Sequence, residues 1–131
     1  MLWIGLCWFG AFNFCDMKSY NPLQEKSLDF AVLVVNASML LKERRAYELS
    51  SQFVKSGTSI GANIWEAQGA ESRRDFVHKL KISSKESFET VFWIKVIQRV
   101  YPDIQLDELV GLLDEIQRIL SAAIKTSKNR M

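Results

Sequence analysis

The chain has 131 residues, of which 48% are hydrophobic and 24% charged, the make-up of one ordinary globular domain with one core. A formal charge of +2 is too small to argue for nucleic acid by itself. Two prolines and six glycines are too few to punctuate a many-stranded sheet, so long helices are favoured. The two cysteines, Cys7 and Cys15, both lie at the start, cannot staple the body of the chain and show no CxxC spacing. They give no support to a zinc site and fit a cytoplasmic protein.

The stretch MLWIGLCWFGAFNFC carries no charge, two tryptophans and three phenylalanines. It is shorter than the ~20 residues of a membrane span, and it lacks the basic region and small-residue cleavage site of a signal peptide. Composition changes abruptly at DMKSYNPLQEKS, where Met17 reads as a start. Residues 1–16 are therefore expected to be a hydrophobic extension from an upstream start assignment. A hydrophobic arm that packs on a partner, and a membrane or export segment, are the alternatives. Residues 17–131 are expected to form a single domain.

A first helix is predicted over residues 23–42. Phe30, Val34, Ala37 and Leu41 recur at the spacing of one helix face, and Pro22 suits a helix start. No glycine or proline marks its end in KERRAYELSS, and the break is placed near residues 43–45. A second helix is predicted over residues 46–68, where Ala46, Leu49, Phe53, Gly57, Ile60, Ile64 and Ala67 form nearly a heptad seam and Gly69 stands at the C′ position. A third begins at Ser72, whose Ser-x-x-Asp spacing to Asp75 resembles a capping box, and runs to Val100 before Pro102. A fourth is predicted over residues 104–125 with a seam of Leu106, Leu109, Leu113, Ile116, Leu120 and Ala123. Four amphipathic helices on short loops imply an all-α, antiparallel up-down-up-down four-helix bundle.

Glycine costs a helix interior about 1 kcal/mol relative to alanine, so Gly57 and Gly61 call for a reason. Folding the second helix onto the third about Ala70 opposes Ile64 with Phe76, Ile60 with Leu80, Gly57 with Ser83 and Phe53 with Ser87. In that register Gly57 lets the third helix approach. Ser56, Ser59, Asn63 and Glu66 make a polar ridge beside the seam. Val54, Thr58, Gly61 and Trp65 make a further line of mostly small or apolar residues. A helix compact on most sides is expected to be buried on most sides, which points to a second subunit, with Gly61 keeping a face shallow for it. The alternative is that the polar ridge is the wet face.

The segment KSGTSIGANIWEAQGAESRRDFVHKLKISSKES resembles the small four-helix bundle proteins related to those encoded in intervening sequences of bacterial large-subunit ribosomal RNA genes. The likeness is carried by Lys55, Ser56, Ser59, Ile60, Asn63, Ile64, Glu66, Ser72, Asp75 and Phe76. The segment EKSLDFAVLVVN is similar to the family's first helix. Lys55 stands where arginine is common, and it lacks the bidentate fork of that residue. The resemblance implies a homo-oligomer, a pentamer of bundles around a central channel. It also implies similarity to the accessory protein of diversity-generating retroelements, a basic pentamer that partners a reverse transcriptase and binds nucleic acid. The packing and interface motif then comprises Ser56, Gly57, Ser59, Ile60, Gly61, Asn63, Ile64 and Glu66.

Basic residues gather on the third helix: Arg73, Arg74, Lys79, Lys81, Lys85, Lys95 and Arg99. Arg74, Lys81 and Lys85 share a face, and repeated around a ring they would attract a phosphate backbone. Lys55, Arg73, Arg74, Lys81 and Lys85 are the candidate nucleic-acid contacts. Glu71, Asp75, Glu86 and Glu89 lie among them, and a mixed solvated surface is the alternative. Asp75 and His78 have the spacing of a helical metal pair, but one histidine cannot supply the two that a di-iron bundle needs. No catalytic residue, metal, cofactor or small-molecule substrate is expected. Trp65, Phe88, Phe92 and Trp93 are expected in the core or an interface rather than under nucleic-acid bases. The expected function is a non-enzymatic accessory protein associated with RNA or DNA; a structural or protein-interaction module is the alternative.

Overall fold

The computed structural model describes residues 21–131. The readings of residues 1–16, Met17 and the two cysteines lie outside them. Four helices follow one another: α1 (Pro22–Glu43), α2 (Tyr47–Ala67), α3 (Arg73–Val100) and α4 (Asp107–Asn129). Each packs on its neighbours in sequence and α4 closes the ring on α1, while no diagonal pair brings its backbones together. The Ser50 hydroxyl donates to the Ser38 carbonyl at 3.0 Å near the first turn, and the Trp65 indole N–H donates to the Gln24 carbonyl at 3.4 Å at the other end. Those two bonds run α1 and α2 antiparallel, and the short loops carry the alternation round an up-down-up-down bundle. Phe30, Val34, Leu41, Phe53, Ile60, Ile64, Leu80, Ile97, Ile116 and Leu120 fill the centre, so the predicted seams are the core.

The helix ends follow from local chemistry. The Asn21 side-chain oxygen accepts from the amides of Leu23 and Gln24, and Pro22 occupies the first turn. The end of α1 is a Schellman motif: the Ala46 N–H reaches the Leu41 carbonyl and the Arg45 N–H reaches the Lys42 carbonyl, both at 2.9 Å. This places Arg45 at φ 60°, in the left-handed region where a β-carbon crowds the following carbonyl. Arg45→Gly should therefore raise stability by about 0.5–1 kcal/mol, the relieved crowding outweighing glycine's extra freedom in the unfolded chain; a urea midpoint would read it.

Three expectations change. Gly69 stands at C′ but is not left-handed. The amides of Gln68, Gly69 and Ala70 bond to the carbonyls of Trp65, Glu66 and Ala67, so tight turns carry the chain on before it reverses. The reversal is thus later than Ala70, and the α2–α3 register shifts by about one turn: Ser83 donates to the Ile60 carbonyl at 2.8 Å, and Lys79 reaches Glu66 at 2.9 Å. The fourth helix begins at Asp107, not Ile104. Ile104 and Leu106 are buried within the loop, and Leu106 prolongs the apolar periodicity of α4 without being helical.

The glycines of α2 correct a fourth expectation. A β-carbon at Gly57 would lie 2.7 and 2.8 Å from the two methyls of Val34, and one at Gly61 would lie 3.1 Å from the Ser27 carbonyl oxygen. Both glycines bring α1 onto α2, so Gly57 is a spacer for α1 rather than α3, and Gly61 admits the Ser27 backbone while also lining a shallow cleft on the α1–α2 face. Ser56 is likewise buried within the bundle, Ser59 and Asn63 are half-buried, and only Glu66 of the polar ridge is exposed. Flanking by two close neighbours accounts for the burial of Ser56 and Gly57, while Gly61 and Trp65 border the cleft on the α1–α2 face. The buried hydroxyls bond to nearby carbonyls, as Ser56 does to Phe53, and no buried side-chain polar atom among the described residues lacks a partner.

Gly111 is the opposite case. Nothing lies within 4 Å of a β-carbon placed there, in the second turn of α4. Gly111→Ala should gain about 0.8 kcal/mol through helix propensity, visible as a higher urea midpoint with an unchanged slope.

Candidate nucleic-acid interface

The start of α3 is set by Ser72, whose hydroxyl accepts from the Asp75 amide at 3.0 Å. Asp75 returns a carboxylate oxygen to the Glu71 amide at 3.3 Å, so it serves the cap. From this cap the core residues Val77, Leu80, Ser83, Ser87, Thr90, Ile94 and Ile97 face inward. The opposite side is then fixed by helical geometry. Arg74, His78, Lys81, Lys85, Phe88, Phe92, Lys95 and Arg99 recur at alternating steps of four and three, and every one is exposed. The row spans about 37 Å at 1.5 Å per residue.

No cation of this row forms an ion pair among the described residues. Among the described residues the ion pairs are Lys26–Glu115, Arg44–Asp103, Lys79–Glu66 and Arg118–Asp114. None uses Arg74, Lys81, Lys85, Lys95 or Arg99. Lys79 lies beside the row, and its hydrogen bond to Glu66 holds its pKa above the ordinary lysine value. That bond removes Glu66 from competition for the row. The carboxylate of Glu89 accepts from the Trp93 indole at 3.2 Å. At the far end Arg44 grips Asp103 and lies over the Tyr101 ring at 5.2 Å. This hydrogen bond lowers the Asp103 pKa and ties the α1–α2 turn to the α3–α4 loop.

Of the five predicted contacts, Arg74, Lys81 and Lys85 share the row. Arg73 lies in line with buried Val77 and Leu80, so it belongs to the end of the bundle, and Lys55 is exposed on α2, off the row. Phe88 and Phe92, expected in the core or an interface, lie on this row. They are 68% and 57% exposed rather than in the core, and Trp65 is also exposed. The signal was in the spacing, because Phe88 and Phe92 continue the steps that join Arg74, Lys81 and Lys85.

A second exposed feature lies on α1. Leu28, Val32, Val35 and Met39 form an apolar stripe on its outer side. Beside it Ser27, Ala31, Thr58, Gly61 and Trp65 line a shallow apolar cleft of about 240 Å³.

The family model for 23S rRNA-intervening sequence proteins matches residues 21–122, which takes in α1, α2, α3 and most of α4. The chain belongs to that family. A solved structure from Bacteroides thetaiotaomicron, described as a protein of unknown function from the S23 ribosomal protein family, is similar to this chain at 40% identity. Its TM-score is 0.72, over 79% of this chain and 98% of that one. No curated protein matches this chain. For this intervening-sequence family member the match extends across both faces described above, the α3 row and the α1 stripe. Among the described residues no helix is long and apolar enough to cross a membrane.

Proposed function

We propose that this protein is a non-enzymatic RNA-associated bundle of the cytoplasm that works as a homo-oligomer, a pentamer in the arrangement its family resemblance implies. The observation that carries the reading is the row of unpaired cations on α3. Five cations on one exposed side of a rigid helix follow a polyanion, and they make a far stronger electrostatic footprint than the net charge of +2 suggests. The family's name, which refers to 23S rRNA, favours RNA as the polyanion. The apolar stripe of Leu28, Val32, Val35 and Met39 supports self-association, since a contiguous apolar surface on a water-facing helix is a place for protein contact. In an oligomer each copy adds a row, and linked rows raise the effective concentration of cations along one strand.

The test is binding of a 20-nucleotide RNA measured between 50 and 200 mM salt, with the solution mass determined in parallel. Affinity should fall steeply and linearly on logarithmic axes. Absence of binding at 50 mM salt would leave a protein-interaction module as the better reading.

A further inference from the structure

The row is not uniformly basic. Its middle is a pair of phenylalanines, Phe88 and Phe92, between Lys85 on one side and Lys95 on the other. Phe88 is the most exposed large hydrophobic residue on α3, and Phe92 is as exposed as Val100 at the helix end. Nothing in their own bundle explains them: Ser87, Thr90, Val91 and Ile94 already fill the inward and flanking positions. Phe92 is restrained, its ring meeting Trp93 edge-on with centroids 4.9 Å apart, and Trp93 is in turn held by Glu89. A restrained aromatic side chain flanked by cations on a solvent face has the composition of a stacking platform: the cations hold phosphates and the rings take bases.

Spacing narrows the substrate. Four residues of helix separate the two rings by about 6 Å of rise. Paired bases along one strand are only about 3.4 Å apart and bury their faces against each other, so a duplex offers the rings nothing to stack on. An unpaired strand with splayed bases does. Building on the RNA reading above, we propose that Phe88 and Phe92 form a stacking step that makes the α3 row selective for single-stranded over double-stranded nucleic acid, with Lys81, Lys85, Lys95 and Arg99 on the flanking phosphates.

The experiment uses the full chain, a fluorescein-labelled 20-nucleotide RNA of mixed sequence, and the same strand annealed to its complement, both at 100 mM salt. Phe88→Ala and Phe92→Ala should each weaken single-strand binding about tenfold. Duplex binding should change by less than about twofold, and the salt dependence should stay the same, because no cation is removed. Phe92→Tyr should restore single-strand binding, since a phenol ring stacks as well. Circular dichroism and solution mass of each variant accompany the binding data. Four results would overturn the proposal. If the alanine variants bind single strands like the parent, or lose single strand and duplex equally, the stacking step fails while the RNA reading stands. If they lose the oligomer, the two rings are a subunit contact. If the parent binds neither RNA, the stacking step and the RNA reading fall together.

Discussion

A Lys81→Glu, Lys85→Glu double variant should bind single-stranded RNA at least about 25-fold more weakly than the parent in 0.1 M salt. Each phosphate contact on a single strand contributes about 0.7 to the slope of log affinity against log salt, so losing two lowers affinity by about 1.4 log units at 0.1 M. The slope itself should shrink by about the same 1.4, and the added carboxylates repel the strand further. Lys81 and Lys85 are one turn apart on the exposed side of α3, and neither has an ion-pair partner among the described residues. Reversing them breaks no contact that holds the bundle, so the helical signal should be unchanged. Lys55→Glu with Arg73→Glu makes the same change in net charge away from the row and should cost distinctly less. Fluorescence anisotropy across a salt series measures all three proteins. Equal losses in the two double variants would reduce the effect to net charge and remove the row.

Gly57→Leu should destabilise the fold by about 3 kcal/mol or more, a large part of the 5–15 kcal/mol that holds a domain of this size together. Even the first added carbon would meet the Val34 methyls at 2.7 and 2.8 Å. Val34 is fully buried, and as a β-branched residue in a helix it has essentially one rotamer, so it cannot swing aside. The cost is thus a displacement of α1, the helix that carries Phe30 and Leu41 into the core. Gly57→Ala meets the same obstacle and should lose about 1–2 kcal/mol despite its better helix propensity. Val34→Ala should recover part of that loss, with a coupling of at least about 1 kcal/mol in a urea double-mutant cycle. Without that coupling, Val34 is not what Gly57 makes room for.

The two glycines also show where sequence reading stops. Periodicity identified the seams on α1, α2 and α4, because a helix face repeats in one dimension, and most of those positions are core, with Ala46, Leu49 and Ala123 half-buried; α3 was placed by its cap and by Pro102 without a seam. Periodicity did not say which neighbour each small residue admits. Helix α2 has α1 on one side and α3 on the other, and a stripe of small residues suits either. The choice rests on the volume facing Gly57, which is Val34 on α1. The end of α1 was located without a glycine signal, yet Arg45 in the left-handed region was hidden, since the Schellman hydrogen bonds impose that conformation on whatever residue is there. The start of α4 was misread because Leu106, three residues before Leu109, continues the seam from the loop, and Ile104 is buried beside it. At the candidate site Arg74, Lys81 and Lys85 were legible from charge and spacing. Phe88 and Phe92 were read as core or interface, and the core is excluded because the inward side of α3 is already filled by Ser87, Thr90 and Ile94.

The most direct test of the α3 row as the RNA-binding surface is a map of amide chemical-shift changes on adding the 20-nucleotide single strand to the full chain. Shifts should concentrate on the exposed side of α3 from Arg74 to Arg99, strongest around Lys85, Phe88 and Phe92. The α1 stripe of Leu28, Val32 and Met39 should stay unmoved. A footprint centred on α1 or α4, with α3 silent, would contradict it.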